Sequence, residues 1–208
     1  MTGVSAIVLA AGAGSRFGGD KLLAPYLGRT LIEATLDELR GGPVDEIIVV
    51  VGKQAEELRS VCEPYGVSVV ENPEWEEGMS TSVRAGLSVV DRKFRAAVVL
   101  LGDQPLVGSE AVARLVAAFE KGADVAVATY EGSPRNPVLF ARRVWSLLEE
   151  ELTGDEGARK FISRHPELVT EVPCDDVADP ADVDTVEDLG HLEELAAARV
   201  ATEQRRRA

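Results

Sequence analysis

Residues 9–21 read LAAGAGSRFGGDK and directly follow a short apolar run at residues 4–9, VSAIVL. That run is rich in β-branched residues and short enough to be a buried strand. The loop after it contains several glycines, which let backbone N–H groups turn toward a ligand, and the cations Arg16 and Lys21. Oriented amides and cations both stabilise negative charge, so the stretch predicts a phosphate-binding loop at the end of a strand.

Two familiar phosphate-binding loops do not fit this spacing. The dinucleotide fingerprint G-x-G-x-x-G fails because the third position after Gly14 is Phe17. The P-loop pattern G-x-x-x-x-G-K-[ST] fails because an aspartate precedes Lys21, and Leu22 stands where a magnesium-binding hydroxyl is needed. A glycine-rich surface loop with stray charges is the remaining alternative, and the buried strand before the loop argues against it.

Composition and charge narrow the class of protein. The net charge of −14 argues against nucleic acid as a partner, because such binding depends on neutralising phosphates. No apolar run approaches the roughly 18 residues of a membrane span, and no signal-peptide pattern opens the chain. Cys62 and Cys174 lack metal-site spacing, so we expect free thiols in the cytoplasm. Residues 1–198 are predicted to form one domain, followed by a flexible basic tail at 199–208.

Apolar strands alternate with amphipathic helices along the chain. This alternation predicts an α/β fold, a Rossmann-like, doubly wound and mainly parallel sheet that is buried on both faces. A capping box at residues 30–33 marks one helix start, and a cap at Ser109 is expected to begin another. Residues 131–135 are predicted to be a polar loop. The predicted strands are 4–9, 46–52, 67–70, 96–101, 124–130, 137–140 and 168–172, and the predicted helices are 31–40, 55–63, 80–90, 109–121, 142–152 and one from 186.

Acidic residues follow two of these elements. Asp103 comes directly after the predicted strand 96–101, at the edge of an open sheet where ligands bind. A carboxylate there can hold Mg²⁺, which takes one or two carboxylates together with phosphate oxygens, although Asp103 could also begin a turn. A second acidic turn contains Asp182 and Asp184 and precedes the last helix, where Asp184 or Thr185 could instead cap that helix.

Small hydroxyl residues cluster between the loop and Asp103. Residues 78–82 read GMSTS at a predicted helix start. Capping explains one hydroxyl, whereas three of them beside Gly78 suit a base or ribose pocket. The neighbouring Trp75 is interpreted as a packing residue rather than a base-stacking one.

Together these residues resemble a known family. Leu9, Ala10, Ala11, Gly12, Arg16, Gly18 and Lys21 fill the pattern L-A-A-G-x-x-x-R-x-G-x-x-K of the MobA-like NTP transferases. The stretches at 72–82, 102–105, 154–159 and 182–188 further resemble the molybdenum cofactor cytidylyltransferase (MocA-like) branch. Two positions depart from this branch: Val186 replaces a usual proline, and Asn136 stands where a histidine is usual. The missing histidine leaves the identity of the acceptor undetermined.

The resemblance implies a nucleotide-diphospho-sugar transferase (GT-A-like) fold and a specific activity. A CMP moiety would pass from CTP to the terminal phosphate of molybdenum-loaded molybdopterin, with release of pyrophosphate. It implies Mg²⁺ on Asp103 and Asp184, catalytic roles for Lys21, Arg16 and Asp103, and an acceptor site at Arg135, Asn136 and Arg159. The implied nucleotide-binding residues are Leu9, Ala10, Ala11, Gly12, Gly14, Arg16, Lys21, Gly78, Ser80, Ser82 and Asp103.

The identities of the nucleotide and the acceptor leave alternatives. The guanylyltransferases of the group typically carry L-A-G-G, so L-A-A-G at residues 9–12 favours CTP over GTP. A sugar phosphate or erythritol phosphate could replace molybdopterin as acceptor, with CTP, UTP or GTP as donor. The protein could also be a non-catalytic carrier of the cofactor, and a molybdoenzyme or its accessory protein is a possible partner.

Overall fold

The computed structural model describes residues 3–12, 14, 16–156 and 158–207. Within these residues seven strands form one sheet in the order β5-β4-β1-β6-β8-β7-β9, and two short strands pair as a separate hairpin. The strands are β1 (Val4–Ala10), β2 (Pro25–Tyr26), β3 (Arg29–Thr30), β4 (Glu46–Val51), β5 (Ser68–Glu71), β6 (Ala96–Leu101), β7 (Val125–Tyr130), β8 (Ser133–Ala141) and β9 (Val169–Pro173). The helices are α1 (Leu31–Leu39), α2 (Ala55–Cys62), α3 (Met79–Val89), α4 (Gly108–Glu120), α5 (Trp145–Glu151), α6 (Arg159–Arg164) and α7 (Val186–Arg207).

The sheet is mainly parallel and has an apolar core on each face. β1 pairs in parallel with β4 and β6, β4 with β5, and β7 with β9, whereas β8 runs antiparallel between β6 and β7. All seven residues of β1 are buried. Its alternate side chains, for example Ile7 and Val8, belong to separate apolar clusters, one including Leu87 of α3 and the other Leu36 of α1. The predicted doubly wound α/β class is therefore confirmed.

Several local predictions hold, and others fail for identifiable reasons. The capping box of α1 is present, with the Thr30 hydroxyl accepting from the Glu33 N–H and the Glu33 carboxylate accepting from the Thr30 N–H. The predicted cap at Ser109 is wrong, because α4 begins at Gly108 after Val107 and has no side-chain cap. The expected loop at 131–135 is also wrong, because β8 begins at Ser133 and pairs with β7 across a tight turn.

The end of the chain continues the last helix. The backbone of α7 runs from Val186 to Arg207, so most of the predicted tail at 199–208 is helical in backbone, and Ala208 lies outside the described residues. Cys62 and Cys174 are free, as expected, and both are buried. No helix in the described part of the chain combines the length and apolarity required to cross a membrane.

Gly86 and Gly190 offer a matched test of how tightly α3 packs on the sheet. A Cβ added at Gly86 would lie 2.5 Å from Ile7 Cγ2, whereas one added at Gly190 in α7 meets no described atom within 4 Å. We expect Gly86→Ala to lower the free energy of unfolding by about 1–3 kcal/mol through overpacking. Gly190→Ala should raise it by about 0.5–1 kcal/mol through helix propensity. Urea unfolding of both variants measures this, and a stabilised Gly86→Ala would contradict the close packing.

Candidate active site

The predicted phosphate loop leaves β1 at the edge of the sheet where β6 also ends, and a cavity of about 500 Å³ opens there. We call it the loop cavity. Sequence-predicted residues lining it are Leu9, Ala10, Ala11, Gly12, Lys21, Gly78, Ser82, Asp103 and Asp184. Open α/β sheets bind ligands outside the carboxyl ends of their strands. The structure therefore brings most of the predicted nucleotide-binding residues together at the expected place.

Two glycines of the loop have different physical roles. Gly14 has a φ of +60°, and a Cβ there would lie 2.7 Å from Gly19 O, so the turn requires a glycine. Gly14 itself does not line the cavity. At Gly12, which does line it, an added Cβ would meet no described atom within 4 Å. Protein packing therefore does not demand glycine at position 12, and the space beside it is available to a ligand.

A largely buried ion pair lies at the wall of the loop cavity. Lys21 Nζ lies 2.5 Å from Asp103 Oδ2, and the two side chains are only 17% and 14% exposed. Burial raises the pKa of the Asp103 carboxyl, the ion pair with Lys21 acts against that shift, and the nearby charge of Asp182 adds to it. The lysine joins the phosphate loop to the end of β6, two segments that are far apart in sequence.

Asp184 reaches the same lysine from the turn before α7. Lys21 Nζ lies 3.8 Å from Asp184 Oδ1, and Arg16 Nη1 lies 2.8 Å from Asp184 Oδ2. The residue after Asp184, Thr185, caps α7. Its hydroxyl accepts from the Asp188 N–H at 3.2 Å, and the Asp188 carboxylate accepts from the Thr185 N–H at 2.7 Å. The capping alternative therefore applies to Thr185 and leaves the Asp184 carboxylate facing the cations of the loop. Arg16 is largely exposed, and among the described residues its ion pair within the site is with Asp184.

The two carboxylates suit a divalent cation that is shared with phosphate. Asp103 and Asp184 contact a common ammonium group and both line the loop cavity. The described residues contain no group of three or more His, Cys, Asp or Glu that could hold a metal ion alone. Mg²⁺ is usually held by one or two carboxylates, with the remaining positions filled by water and substrate phosphates. The donor set fits that pattern.

The hydroxyl cluster at 80–82 is organised by a residue that the sequence analysis did not single out. Asn72 is buried and donates through Nδ2 to Thr81 Oγ1 at 2.8 Å and Ser82 Oγ at 3.0 Å. Ser82 lines the loop cavity, whereas Ser80 is 1% exposed and does not. The three hydroxyls therefore do not converge on one ligand. The helical periodicity of α3 could have indicated this, because residues 80 and 82 lie on different faces.

Trp75 both packs and lines the loop cavity. A Cβ added at Gly52 would lie 2.8 Å from Trp75 Cγ and 2.7 Å from Ala11 O, so this glycine lets the indole approach the phosphate loop. The interpretation of Trp75 as a packing residue is thus compatible with its position, and its ring is also accessible from the cavity. Asp182, the other carboxylate of the predicted acidic turn, also lines this cavity, and further lining residues without an earlier prediction include Gln54, Glu76, Met79 and Asp155.

A second cavity of about 680 Å³ adjoins the first, and we call it the bulge cavity. It brings together the three residues predicted to bind an acceptor, Arg135, Asn136 and Arg159. Its position depends on β8: the register against β7 jumps from Val138 to Arg135, so Asn136 and Pro137 form a bulge, a device that redirects side chains. The two cavities share wall residues, namely Met79, Leu101, Asp155 and Asp182. Gly157, in the stretch 154–159, lies outside the described residues.

The short helix α6, which carries Arg159, is held by a titratable contact. His165 Nε2 lies 2.9 Å from Glu151 Oε1 and Nδ1 lies 3.2 Å from Glu167 Oε1. Hydrogen bonding to these carboxylates, Glu151 first, raises the pKa of His165, and the contact with His165 lowers the pKa of Glu151.

This contact predicts a pH-dependent stability. A raised pKa in the folded state means that His165 stabilises the protein below its unfolded value near 6.5, and that this stabilisation disappears as pH rises through the folded pKa. We expect the melting temperature of wild type to exceed that of His165→Gln at pH 6, and the gap to narrow by pH 8.5. A gap that stays constant with pH would show that protonation of His165 is not involved.

Comparison with known proteins agrees with this architecture, which is the α/β fold of nucleotidyltransferases. The sequence profile of the MobA-like NTP transferase domain matches residues 6–169, and the chain belongs to that family. The chain is 35% identical over 199 residues to nicotine blue oxidoreductase of Paenarthrobacter nicotinovorans, covering 91% of this chain and 96% of that protein.

Two solved structures are also similar along most of the chain. A Mycobacterium tuberculosis Rv0371c homologue from Mycobacterium sp. strain JC1 superposes with a TM-score of 0.83 at 34% identity, covering 96% of this chain and 98% of that one. Rv0371c of M. tuberculosis H37Rv in complex with manganese superposes with a TM-score of 0.78 at 32% identity, covering 92% of this chain and 98% of that one. The resemblance inferred from the sequence motifs is confirmed at the level of the family.

Proposed function

We propose that this protein is a Mg²⁺-dependent cytidylyltransferase that transfers CMP from CTP to the terminal phosphate of molybdenum-loaded molybdopterin. The observation that carries the proposal is the contact of Lys21 with both Asp103 and Asp184 at the wall of the loop cavity, beside a second cavity with arginines in its lining. The manganese complex of Rv0371c supports a divalent cation in a related protein.

In this proposal the loop cavity holds the nucleotide. The glycine-containing loop at 9–21 surrounds the triphosphate, and Lys21 and Arg16 neutralise charge on the α-phosphate and on the departing pyrophosphate. Gly78 and Ser82 line the same cavity, and in this proposal they meet the base or ribose. Ser80 is buried and does not line this cavity, so we assign it a packing role.

A cation held by Asp103 and Asp184 would neutralise charge on the phosphates and fix their orientation. The protein's own side chains contribute by holding the nucleotide and the acceptor in line. An ionised oxygen of the acceptor phosphate attacks the α-phosphorus, a new P–O bond forms, and the bond to the pyrophosphate oxygen breaks. The attacking oxygen carries no proton, so no general base is required, and catalysis depends on alignment and charge stabilisation.

The bulge cavity holds the acceptor in this proposal. Arg135 and Arg159 supply cations for its phosphate, and Asn136 replaces the histidine usual in the resembled branch. The shared wall between the cavities supports this arrangement, because acceptor and nucleotide bound in adjoining cavities would lie side by side, as an in-line transfer requires.

The test is pyrophosphate release, assayed with each of the four NTPs at fixed Mg²⁺. The acceptor is molybdenum-loaded molybdopterin, a sugar phosphate, erythritol phosphate or none, and binding of the cofactor is measured in parallel. We expect release only with CTP and the cofactor. Release with another NTP would overturn CTP as donor, release with a sugar or erythritol phosphate instead would overturn molybdopterin as acceptor, and cofactor binding without release would indicate a carrier protein.

A second candidate rests on the relative that matches nearly the whole chain. Nicotine blue oxidoreductase is 35% identical to this protein, and the bulge cavity has apolar walls, including Val127 and Val138, that could hold an aromatic substrate. An oxidoreductase would take a hydride from a reduced nicotinamide cofactor. Loss of nicotine blue absorbance with NADH or NADPH tests it; our proposal expects none, and bleaching would favour the second candidate.

A further inference from the structure

Lys21 contacts both of the carboxylates that are suited to a divalent cation. Its ammonium lies 2.5 Å from Asp103 Oδ2 and 3.8 Å from Asp184 Oδ1. Asp184 also pairs with Arg16, whose Nη1 lies 2.8 Å from the other oxygen, Oδ2. The protein therefore already supplies a positive charge to the two carboxylates, at the atoms with which they would bind a metal.

This ammonium and a divalent cation compete for the same carboxylate oxygens. Mg²⁺ binds such oxygens at about 2.0–2.1 Å, so a cation shared by Asp103 and Asp184 would lie close to Lys21 Nζ. The side chains of Lys21 and Asp103 are only 17% and 14% exposed, so water and salt screen the repulsion between the two positive charges weakly. The ion pair seen in the structure therefore opposes binding of a metal to these carboxylates.

The backbone of Lys21 is fixed, whereas its side chain has a second place to go. The Lys21 N–H donates to Gly19 O at 3.0 Å, and Lys21 O accepts from the Ala24 N–H at 3.1 Å. Lysine carries its charge on a flexible four-carbon stem. Lys21 and Gly12 both line the loop cavity, and a Cβ added at Gly12 would meet no described atom within 4 Å. A phosphate in that space offers the ammonium another anionic partner in the same cavity.

We propose that Lys21 is an internal cation that couples metal binding to nucleotide binding. Its ammonium neutralises Asp103 and Asp184 and keeps their affinity for a divalent cation low. A nucleotide phosphate draws the ammonium away, and the two carboxylates then hold the metal more tightly. Coupling between two ligands is reciprocal, so a bound metal also makes Lys21 available to the phosphate. This inference rests on the proposed cation site at the two carboxylates.

The first test is the affinity for Mn²⁺ alone, measured by electron paramagnetic resonance without nucleotide at pH 8. Lys21→Met keeps an unbranched side chain and removes the charge. We expect the variant to bind Mn²⁺ about 10-fold more tightly than wild type, because the internal competitor is gone. A lysine that helped to hold the metal, or had no effect on it, would give weaker or equal binding in the variant, and either result would overturn the proposal.

Two control variants locate the effect. Arg16→Gln removes an equal charge that also pairs with Asp184, but Arg16 is 78% exposed, so we expect the Mn²⁺ affinity to stay within about 3-fold of wild type. Adding Asp103→Asn to Lys21→Met should abolish the gain. An equal gain from Arg16→Gln would assign the effect to local charge, and a gain that survives Asp103→Asn would place the cation elsewhere. Both outcomes contradict the proposal.

A second measurement needs only the wild-type protein, since removing one partner of a largely buried ion pair destabilises folded proteins. CMP, whose single phosphate holds Mn²⁺ only weakly in solution, should raise the Mn²⁺ affinity of wild type about 10-fold. In folded Lys21→Met we expect this gain to shrink to about 3-fold or less. No gain in wild type, or an equal gain in both proteins, would refute the coupling through Lys21.

These titrations also separate the inference from the proposed function. Neither of them involves turnover, and the first uses the metal alone. If the protein failed to transfer CMP to any acceptor, the proposed function would be refuted, whereas the Mn²⁺ affinities of wild type and Lys21→Met would still decide the role of Lys21.

Discussion

Lys21→Ala is expected to lower kcat for CMP transfer by about 10²–10³, the range measured when an enzyme loses one group that stabilises transition-state charge. Its ammonium lies 2.5 Å from Asp103 and 3.8 Å from Asp184, so it is the one side chain seen in the described residues to join the phosphate loop to both carboxylates. Without it the two carboxylates repel each other and the incoming phosphates. Initial rates of pyrophosphate release, measured at saturating CTP, give the effect.

The matched control is Lys53→Ala. Lys53 is an exposed lysine that follows β4 and does not line either cavity. Its removal changes the net charge by the same amount as Lys21→Ala but leaves the cavity walls unchanged. We expect near-normal turnover from it. If Lys21→Ala also retained near-normal turnover, the proposed role of Lys21 would be wrong. If both variants lost activity equally, general charge rather than local placement would be responsible.

Asp103→Asn should have an effect of similar size, about 10²–10³ in kcat, with a different dependence on the metal. Asparagine preserves the size of the side chain. It removes the negative charge that pairs with Lys21 and that would attract a bound cation. We therefore expect the Mg²⁺ concentration for half-maximal activity to rise about 10-fold or more. The measurement is a Mg²⁺ titration of pyrophosphate release.

The opposite end of the same strand provides the control. Asp91 lies before β6, is exposed, and accepts a hydrogen bond from the Lys93 N–H at 2.9 Å. Asp91→Asn removes an equal charge and should leave both kcat and the Mg²⁺ titration unchanged. A variant of Asp103 whose Mg²⁺ titration matches wild type would show that this carboxylate does not help to hold the cation.

The family and the central strands were accessible from sequence because they depend on local signals. The run at 4–9 is apolar except for Ser5, the run at 96–101 is continuously apolar, and each forms a strand buried in the sheet. The capping box at 30–33 is decided by residues within one helical turn and is present as predicted. The glycines and cations of the loop likewise follow one another within thirteen residues, 9–21.

The candidate site was predictable in its residue types more than in their contacts. Asp103 and Lys21 are 82 residues apart, and no periodicity predicts that they meet. Thr185 rather than Asp184 caps α7, which only the hydrogen bonds of the turn reveal. Ser80 was expected in the nucleotide site but is buried in α3, where Asn72 from the end of β5 organises the neighbouring hydroxyls.

By itself the sequence determined the glycine-rich, cationic loop after β1, the order of the main strands and helices in the chain, and the charged residue types of the candidate site. The tertiary structure alone decided that β8 is antiparallel and bulged, so that Arg135 and Asn136 line a cavity, and that Gln104 is tied to Pro180. The physical reason is the separation in sequence over which each interaction acts. Propensity, capping and glycine conformations act within a few residues, whereas the order of strands in the sheet sets which distant loops share an edge.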